Sequence, residues 1–375
     1  MTPVPVRLAL RGSLRDIRYV RAVPPRRAHA LVGAVYGQLE RDFGLLAPPV
    51  ALHSPSPAVL AAVWAMLRES LIASGRVSRA DKEVVAAAVS AANECPYCVE
   101  VHGMALGSLG HGGTADAIGD GVPERIEDPA TRALAAWAAG GPGGGIAVPE
   151  RIPELVAVAV TFHYLNRMVN VFLGSSPLPD AVPASARGVV RSVLGRFLRP
   201  GAASPGDSIV LFPATQGEAP TDLQWTDGNG TLADTFGRAA EAVDEAARSV
   251  VSPCVRELVL RELASWNGVS PGLSRSWAES PVSMLPEAER PAARLALLTG
   301  IAAYQVDEAV VAEFRRGHPE DHALVELTAW ASLAAARALG QRLAGTARQE
   351  KTPVPVSGDD RKTGSKTGRS ETGTP

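Results

Sequence analysis

The run ELVAVAVTFHYLNRMVNVFLG, from Glu154 to Gly174, limits the fold more than any other stretch of this chain. It is long and apolar enough to cross a bilayer as a helix. Four polar residues decide against that. His163, Asn166, Arg167 and Asn170 recur at i, i+3, i+4 and i+7, so they share one helical face, and a guanidinium with two carboxamides would be costly in hydrocarbon. The run therefore reads as a helix buried in a protein core, outside any membrane, with one polar stripe whose groups must find partners. Such a stripe serves either a hydrogen-bonded subunit or domain contact or the wall of a pocket.

A helix of that kind needs others to cover it, and the rest of the chain supplies them. Ala, Leu, Val, Arg and Glu fill the long segments, while Gly and Pro gather between them. Helices are expected near 26–43, 57–74, 79–93, 96–109, 130–139, 151–173, 184–198, 232–250, 253–266, 287–315 and 319–345. The main strand-like run is SIVLFP at 208–213. The expected fold class is all-α. The Pro- and Gly-rich stretch 199–231 reads as a linker between domains at 1–198 and 232–345. The tail 346–375 is rich in Thr, Gly, Ser, Lys and Pro and is expected to be disordered.

Charge narrows the partners. With 37 Lys and Arg against 39 Asp and Glu, the formal charge is −2, and no basic field draws the protein to nucleic acid or an anionic membrane. Arginines interrupt residues 1–30 and leave no apolar core for a secretory signal, so a cytoplasmic location is expected. Thiols are kept reduced there. Two of only 3 cysteines at C-x-x-C spacing then point to redox or metal chemistry rather than to a structural disulfide.

Those two stand in AANECPYCVEVHGMAL, from Ala91 to Leu106. Pro96 suits the first position of a helix, which places Asn93, Glu94 or Cys95 near the N-cap. Cys98 then falls in the first turn, where the helix dipole favours a thiolate, and His102 lies one turn further on the same face. Both are expected to lower the Cys98 thiol below its ordinary pKa. Cys98 is the expected nucleophile, and Cys95 can close a disulfide with it once it is oxidised. Glu83, at the head of an apolar helix, either reaches this site as a proton acceptor through His102 or pairs at the helix surface with Lys82 or Arg79. Zinc held by the two cysteines, His102 and a carboxylate is the leading alternative. Structural zinc usually joins separated ligand pairs across a loop, so redox chemistry with no metal or other cofactor is preferred.

Other features carry less. His111 reads as part of a solvated loop, and Cys254 as a small core residue without a Cys or His nearby. GGPGGGI at 140–146 has glycines but no GK[ST], so it reads as a flexible connection, and DGNG at 227–230 as a turn.

Glu83, Cys95, Cys98 and His102 form the pattern E-x11-C-x2-C-x3-H inside GRVSRADKEVVAAAVSAANECPYCVEVHG. This resembles the alkylhydroperoxidase motif of the AhpD type within the carboxymuconolactone decarboxylase-like superfamily. The resemblance implies an AhpD-like all-α fold, with Cys98 peroxidatic, Cys95 resolving, and Glu83 and His102 as a proton relay. It implies a hydroperoxide substrate, organic or hydrogen peroxide, an external dithiol or protein reductant, and a homo-oligomer. AhpD has a histidine between its cysteines where this chain has Tyr97, which alters the relay. That departure leaves room for a dithiol redox sensor or a general thiol-disulfide oxidoreductase. Tyr97, His163, Asn166, Arg167 and Asn170 are the candidate pocket or interface residues.

A weak internal repeat crosses the linker. Residues 82–102 lie without a gap on 256–276, matching Glu83 to Glu257 and Asn93 to Asn267. Cys95, Cys98 and His102 then fall on Val269, Gly272 and Ser276. The run PERIPELVAVAVTFHYLNRMVNVFL likewise resembles PEDHALVELTAWASLAAARALGQRL, with Arg167 opposite Arg337. The C-terminal half is therefore expected to be a degenerate copy that shares the helical fold and has lost the chemistry.

Overall fold

Caps and prolines fix where the helices begin. Ser78, Asp128, Ser252 and Asp307 each accept a backbone N–H of the first turn, and Pro57, Pro96, Pro129 and Pro253 each open a helix where their missing N–H costs nothing. The computed structural model describes residues 12–141, 148–178, 203–213 and 220–349, with Gly188, Arg191 and Gly195. These residues form α1 (Ala30–Gln38), α2 (Pro57–Leu67), α3 (Arg79–Ala92), α4 (Pro96–Ser108), α5 (Gly112–Gly119), α6 (Pro129–Ala138) and α7 (Ile152–Phe172). They continue as α8 (Gly230–Ala246), α9 (Pro253–Ser265), α10 (Ser276–Ser283), α11 (Arg290–Ala302), α12 (Glu308–Arg315) and α13 (Asp321–Gln349). The only β pairing among the described residues is one isolated bridge between Ala73 and Ala203. The fold is all-α.

Helix α7 occupies the centre, and every residue in it except Asn170 is buried. The segment Pro149–Phe172 is long and apolar enough to span a membrane, but 94% of its most apolar window is covered by the protein itself. Its chief neighbour is α13, which runs antiparallel to it. Gly340 sits against Val160, and the Ser332 hydroxyl lies 3.4 Å from the Met168 sulfur. Trp137 on α6 donates to the Leu343 carbonyl at 3.2 Å, and α2 packs on α8. One hydrophobic cluster takes in residues from Ile17 to Ala347.

The sequence expectations need correction at three places. The helix expected over 287–315 is broken into α11 and α12, because Ala303–Gln305 tightens into a 3-10 turn and Asp307 caps a new start. The apolar periodicity ran across that break unchanged. SIVLFP forms a 3-10 turn at Ile209–Leu211 rather than a strand. Helix α13 continues to Gln349, into the stretch assigned to the tail. The helix expected at 184–198 and the rest of the tail lie outside the described residues, as does most of the GGPGGGI connection.

Part of the 199–231 stretch is fastened to the first half. The buried Arg68 guanidinium bonds Asp42 at 2.7 Å, Glu69 at 2.6 Å and Asp207 at 3.0 Å. Glu69 in turn accepts from Gly206 N–H at 2.7 Å and the Ser208 hydroxyl at 2.6 Å. Opposite charges and backbone donors thus satisfy one another around the buried Arg68 and Glu69, with Asp207 at the exposed edge.

Candidate active site

Helices α3 and α4 place the motif. Asn93 ends α3, Glu94 takes a left-handed backbone at φ +52, and Cys95 caps α4 with Pro96 as its first residue. The N-cap expected from sequence is therefore met at Cys95. This short reversal brings the Cys95 and Cys98 sulfurs to 2.7 Å, and neither is bridged. Both are buried, at 1% and 5% exposure.

Burial changes the electrostatics that the sequence suggested. It pushes the Cys98 thiol well above its ordinary pKa, and the adjacent Cys95 sulfur pushes the same way. A hydrogen bond from Asn166 pulls it down. The first turn of α4 adds its dipole on that side. The expected net lowering is thus reversed in the resting dithiol, because desolvation of a thiolate outweighs the groups that favour it.

Glu83 combines the two roles the sequence left open. Its carboxylate is buried, accepts from His102 Nδ1 at 2.6 Å, and pairs with Arg79 at 2.7 Å. Burial pushes this carboxyl upward, but Arg79 and His102 more than reverse it, and the result lies below the usual value. Glu83 is ionised at neutral pH. The His102 ring is wedged edge-on against Phe162, with centroids 4.4 Å apart. No hydrogen bond joins Glu83 or His102 to either sulfur among the described residues. Nor do the described residues hold a group of three or more His, Cys, Asp or Glu placed to bind a metal ion.

The polar stripe of α7 converges on one residue, Asn93. His163 Nδ1 lies 3.0 Å from Asn93 Nδ2, and Asn166 Oδ1 accepts from that same amide at 3.0 Å. Arg167 Nη1 donates to Asn93 Oδ1 at 3.2 Å, while Asn170 Nδ2 donates to the Asn93 carbonyl at 3.1 Å. Asn166 also donates to Ser90 Oγ at 3.0 Å. The stripe therefore clamps the turn that leads into Cys95. Cys95 lines an open cleft of about 1350 Å³ shared with Pro96, Val99, Met104 and Ile118, and none of the four stripe residues lies on that wall.

The comparisons with known proteins agree with this geometry. The model of the carboxymuconolactone decarboxylase family matches residues 57–140, from α2 through α6, and so includes all four motif residues. A protein of Mycobacterium tuberculosis (strain ATCC 25618 / H37Rv) named alkyl hydroperoxide reductase Rv2159c is 37% identical over 338 residues, covering 87% of this chain and 95% of that one. The chain belongs to the AhpD-like, carboxymuconolactone decarboxylase family. Within this AhpD-like site, Tyr97 differs from the histidine expected between the cysteines. Burial, and then the two cysteines, hold its hydroxyl above the ordinary tyrosine range, so it stays protonated.

Sequence reasoning did not single out Asn93 and Ser90 as parts of the site. Their signal was present: both are polar, at i and i+3, on the otherwise apolar last turns of α3. His111 is exposed at the start of α5, and Cys254 is partly buried, 3.2 Å from the Ser252 hydroxyl. Neither approaches the motif by any hydrogen bond.

Proposed function

We propose that this protein is a thiol-dependent peroxidase that reduces organic hydroperoxides through a Cys95–Cys98 dithiol/disulfide cycle. The observation that carries the reading is the pair of buried sulfurs 2.7 Å apart, beside an ionised Glu83 bonded to His102. The Cys98 thiolate attacks the terminal peroxide oxygen and the O–O bond breaks. Cys98 becomes a sulfenic acid, and the departing alkoxide takes a proton to leave as the alcohol. Cys95 then attacks that sulfur, which forms the disulfide and releases water. An external dithiol returns both thiols and is itself oxidised to a disulfide. Glu83 and His102 act as the proton relay, because the Tyr97 hydroxyl holds its proton.

The relative's name, alkyl hydroperoxide reductase, supports the hydroperoxide substrate, and such turnover also requires a reductant. A homo-oligomer in the cytoplasm is part of the same proposal. The C-terminal half reads as a degenerate copy of the first. Its α9 starts behind Ser252 as α3 starts behind Ser78 in the ungapped alignment, and the paired helices α7 with α13 and α2 with α8 pack on each other. Where α4 begins at once with its cysteines, the second half has a loop, and α10 begins only at Ser276. Such a copy covers apolar surface that a single-domain relative would bury against another copy of itself.

The test is mass spectrometry after one equivalent of an organic hydroperoxide, followed by steady-state assay with a dithiol. A Cys95–Cys98 disulfide and continuous peroxide consumption are expected. An unchanged dithiol would overturn the reading, and a single reaction without turnover would make the dithiol a sensor.

A further inference from the structure

Arg167 is a cation whose charge the protein only partly balances. It is buried, at 4% exposure, and no carboxylate pairs with it among the described residues. Neutral oxygens take its inner donors. Nε donates to the Gly300 carbonyl at 2.8 Å, and Nη1 donates to the His163 carbonyl at 2.7 Å and to Asn93 Oδ1 at 3.2 Å. Gly300 lies in the last turn of α11, where a helix dipole is equivalent to about half a negative charge. A full positive charge taken out of water needs more than that. Burial draws the Arg167 pKa down to about 10 with no acid pulling it back, yet the group stays charged at neutral pH.

The remaining nitrogen, Nη2, donates to no atom among the described residues. It is not sealed in the core, since it keeps accessible surface while Nε and Nη1 are taken. Arg167 lines a cavity of about 30 Å³ where the two halves of the chain meet, with Glu94 and Asn170 on one side and Trp266, Ser270 and Tyr304 on the other. A space of that size suits one chloride-sized ion or about two waters, and excludes phosphate and organic acids. Asn170 adds a second donor, because its amide uses only one proton on the Asn93 carbonyl at 3.1 Å. The wall opposite is tied in place. Tyr304 donates to the Gly272 carbonyl at 2.6 Å and meets the Ser270 hydroxyl at 2.7 Å, and the centre of the Trp266 ring lies 5.8 Å from the guanidinium carbon. Glu94 is the one acid on this wall among the described residues; it is exposed and forms no ion pair with Arg167.

We propose that Arg167, with Asn170, holds a chloride-sized monovalent anion between the two halves of the chain. The anion balances the charge that the carbonyls leave unmet, and so steadies the hydrogen bond from Arg167 to Asn93, two residues ahead of Cys95. The site needs both halves. Arg167 and Asn170 come from α7, whereas Trp266, Ser270 and Tyr304 come from the C-terminal half. That half has no C-x-x-C pair, and closing this cavity gives it a ligand to hold. Binding moves no proton or electron, so the site stands whether or not the dithiol turns over.

The probe is chloride, titrated into the full-length protein while gluconate, too large for the cavity, keeps the ionic strength constant. In the wild type the chloride NMR line should broaden, bromide should compete the broadening away, and the urea midpoint should rise with chloride and level off as the site fills. In Arg167→Gln, with folding checked by circular dichroism, the competable broadening and the chloride dependence of the midpoint should both be lost. Broadening that survives in the folded variant, or a wild type without a saturable chloride response, overturns the proposal. A response absent from the wild type that appears only in Glu94→Gln overturns it too, because Glu94 then supplies the missing charge. Should Arg167→Gln not fold, wild-type crystals grown in bromide decide the matter. An anomalous peak in hydrogen-bonding reach of Arg167 Nη2 is expected, and water alone at that place overturns the proposal.

Discussion

Glu83→Gln tests the pairing at the base of the site. The wild-type carboxylate has one oxygen on His102 Nδ1 at 2.6 Å and the other on Arg79, with contacts at 2.7 and 2.8 Å. A glutamine can keep both only with its oxygen on Arg79 and its amide nitrogen donating to the other tautomer of His102, so what it must lose is the negative charge that both partners bond. His102 is held in the core by Phe162, whereas the Arg79 side chain, 22% exposed, can turn to water. The variant therefore turns two charge-assisted contacts into neutral-acceptor or neutral-donor ones, and Arg79 is the partner freer to leave. Loss of one charge-assisted hydrogen bond costs about 1.5–3 kcal/mol at neutral pH. The pH dependence has a definite sign. The folded Glu83 pKa is depressed, so its contribution is complete above the unfolded carboxyl value of about 4.3 and is lost as pH falls through the lower folded value. Urea unfolding of both proteins in steps from pH 7 towards pH 3.5 should show a stability gap that is full at pH 7 and narrows in acid. Equal stability at pH 7, or a gap that widens in acid, would refute the assignment of Glu83 as a buried, ionised partner.

The remaining predictions concern the thiols and the helix packing. Cys98→Ser should abolish peroxide reduction, while Cys95→Ser should react once and leave a sulfenic acid at Cys98 that dimedone traps. Equal first-turnover rates in wild type and Cys98→Ser would mean that the nucleophile is misassigned. Gly340→Ala places a Cβ 2.2 Å from Val160 Cγ2 and should destabilise by about 1–3 kcal/mol, with Val160→Ala restoring part of the loss when the two are combined. Purely additive effects in that cycle would remove the close approach of α7 and α13.

Local chemistry made much of the fold legible. Pro96 behind a turn, Ser78 and Ser252 ahead of apolar periods, and the stripe at 163, 166, 167 and 170 each predicted what the backbone does there. The long helix over 287–315 failed because its apolar spacing continues through Asp307, and periodicity is blind to a cap that restarts a helix. The site was legible in its residues but not in its balance. Spacing along α4 shows a thiol near a helix N-terminus, whereas its burial comes from how the other helices pack on α4. The convergence of four α7 side chains on Asn93 is likewise tertiary. It depends on how α3 crosses α7, which no window of sequence contains.

Tyr97 narrows how protons must move if this AhpD-like site reduces a hydroperoxide. A histidine between the cysteines could take the thiol proton and return it to the leaving alkoxide near neutral pH. Tyr97 can do neither as an ion, since burial and the neighbouring sulfurs keep its hydroxyl protonated. The Cys98 proton must then leave by Cys95 or by way of the Glu83–His102 pair. Cys95 already donates its own proton towards Cys98 and, like burial, pushes the Cys98 thiol up, so the second route is the one left to carry the proton away. Two thiols that are buried and face each other are thereby held protonated at rest.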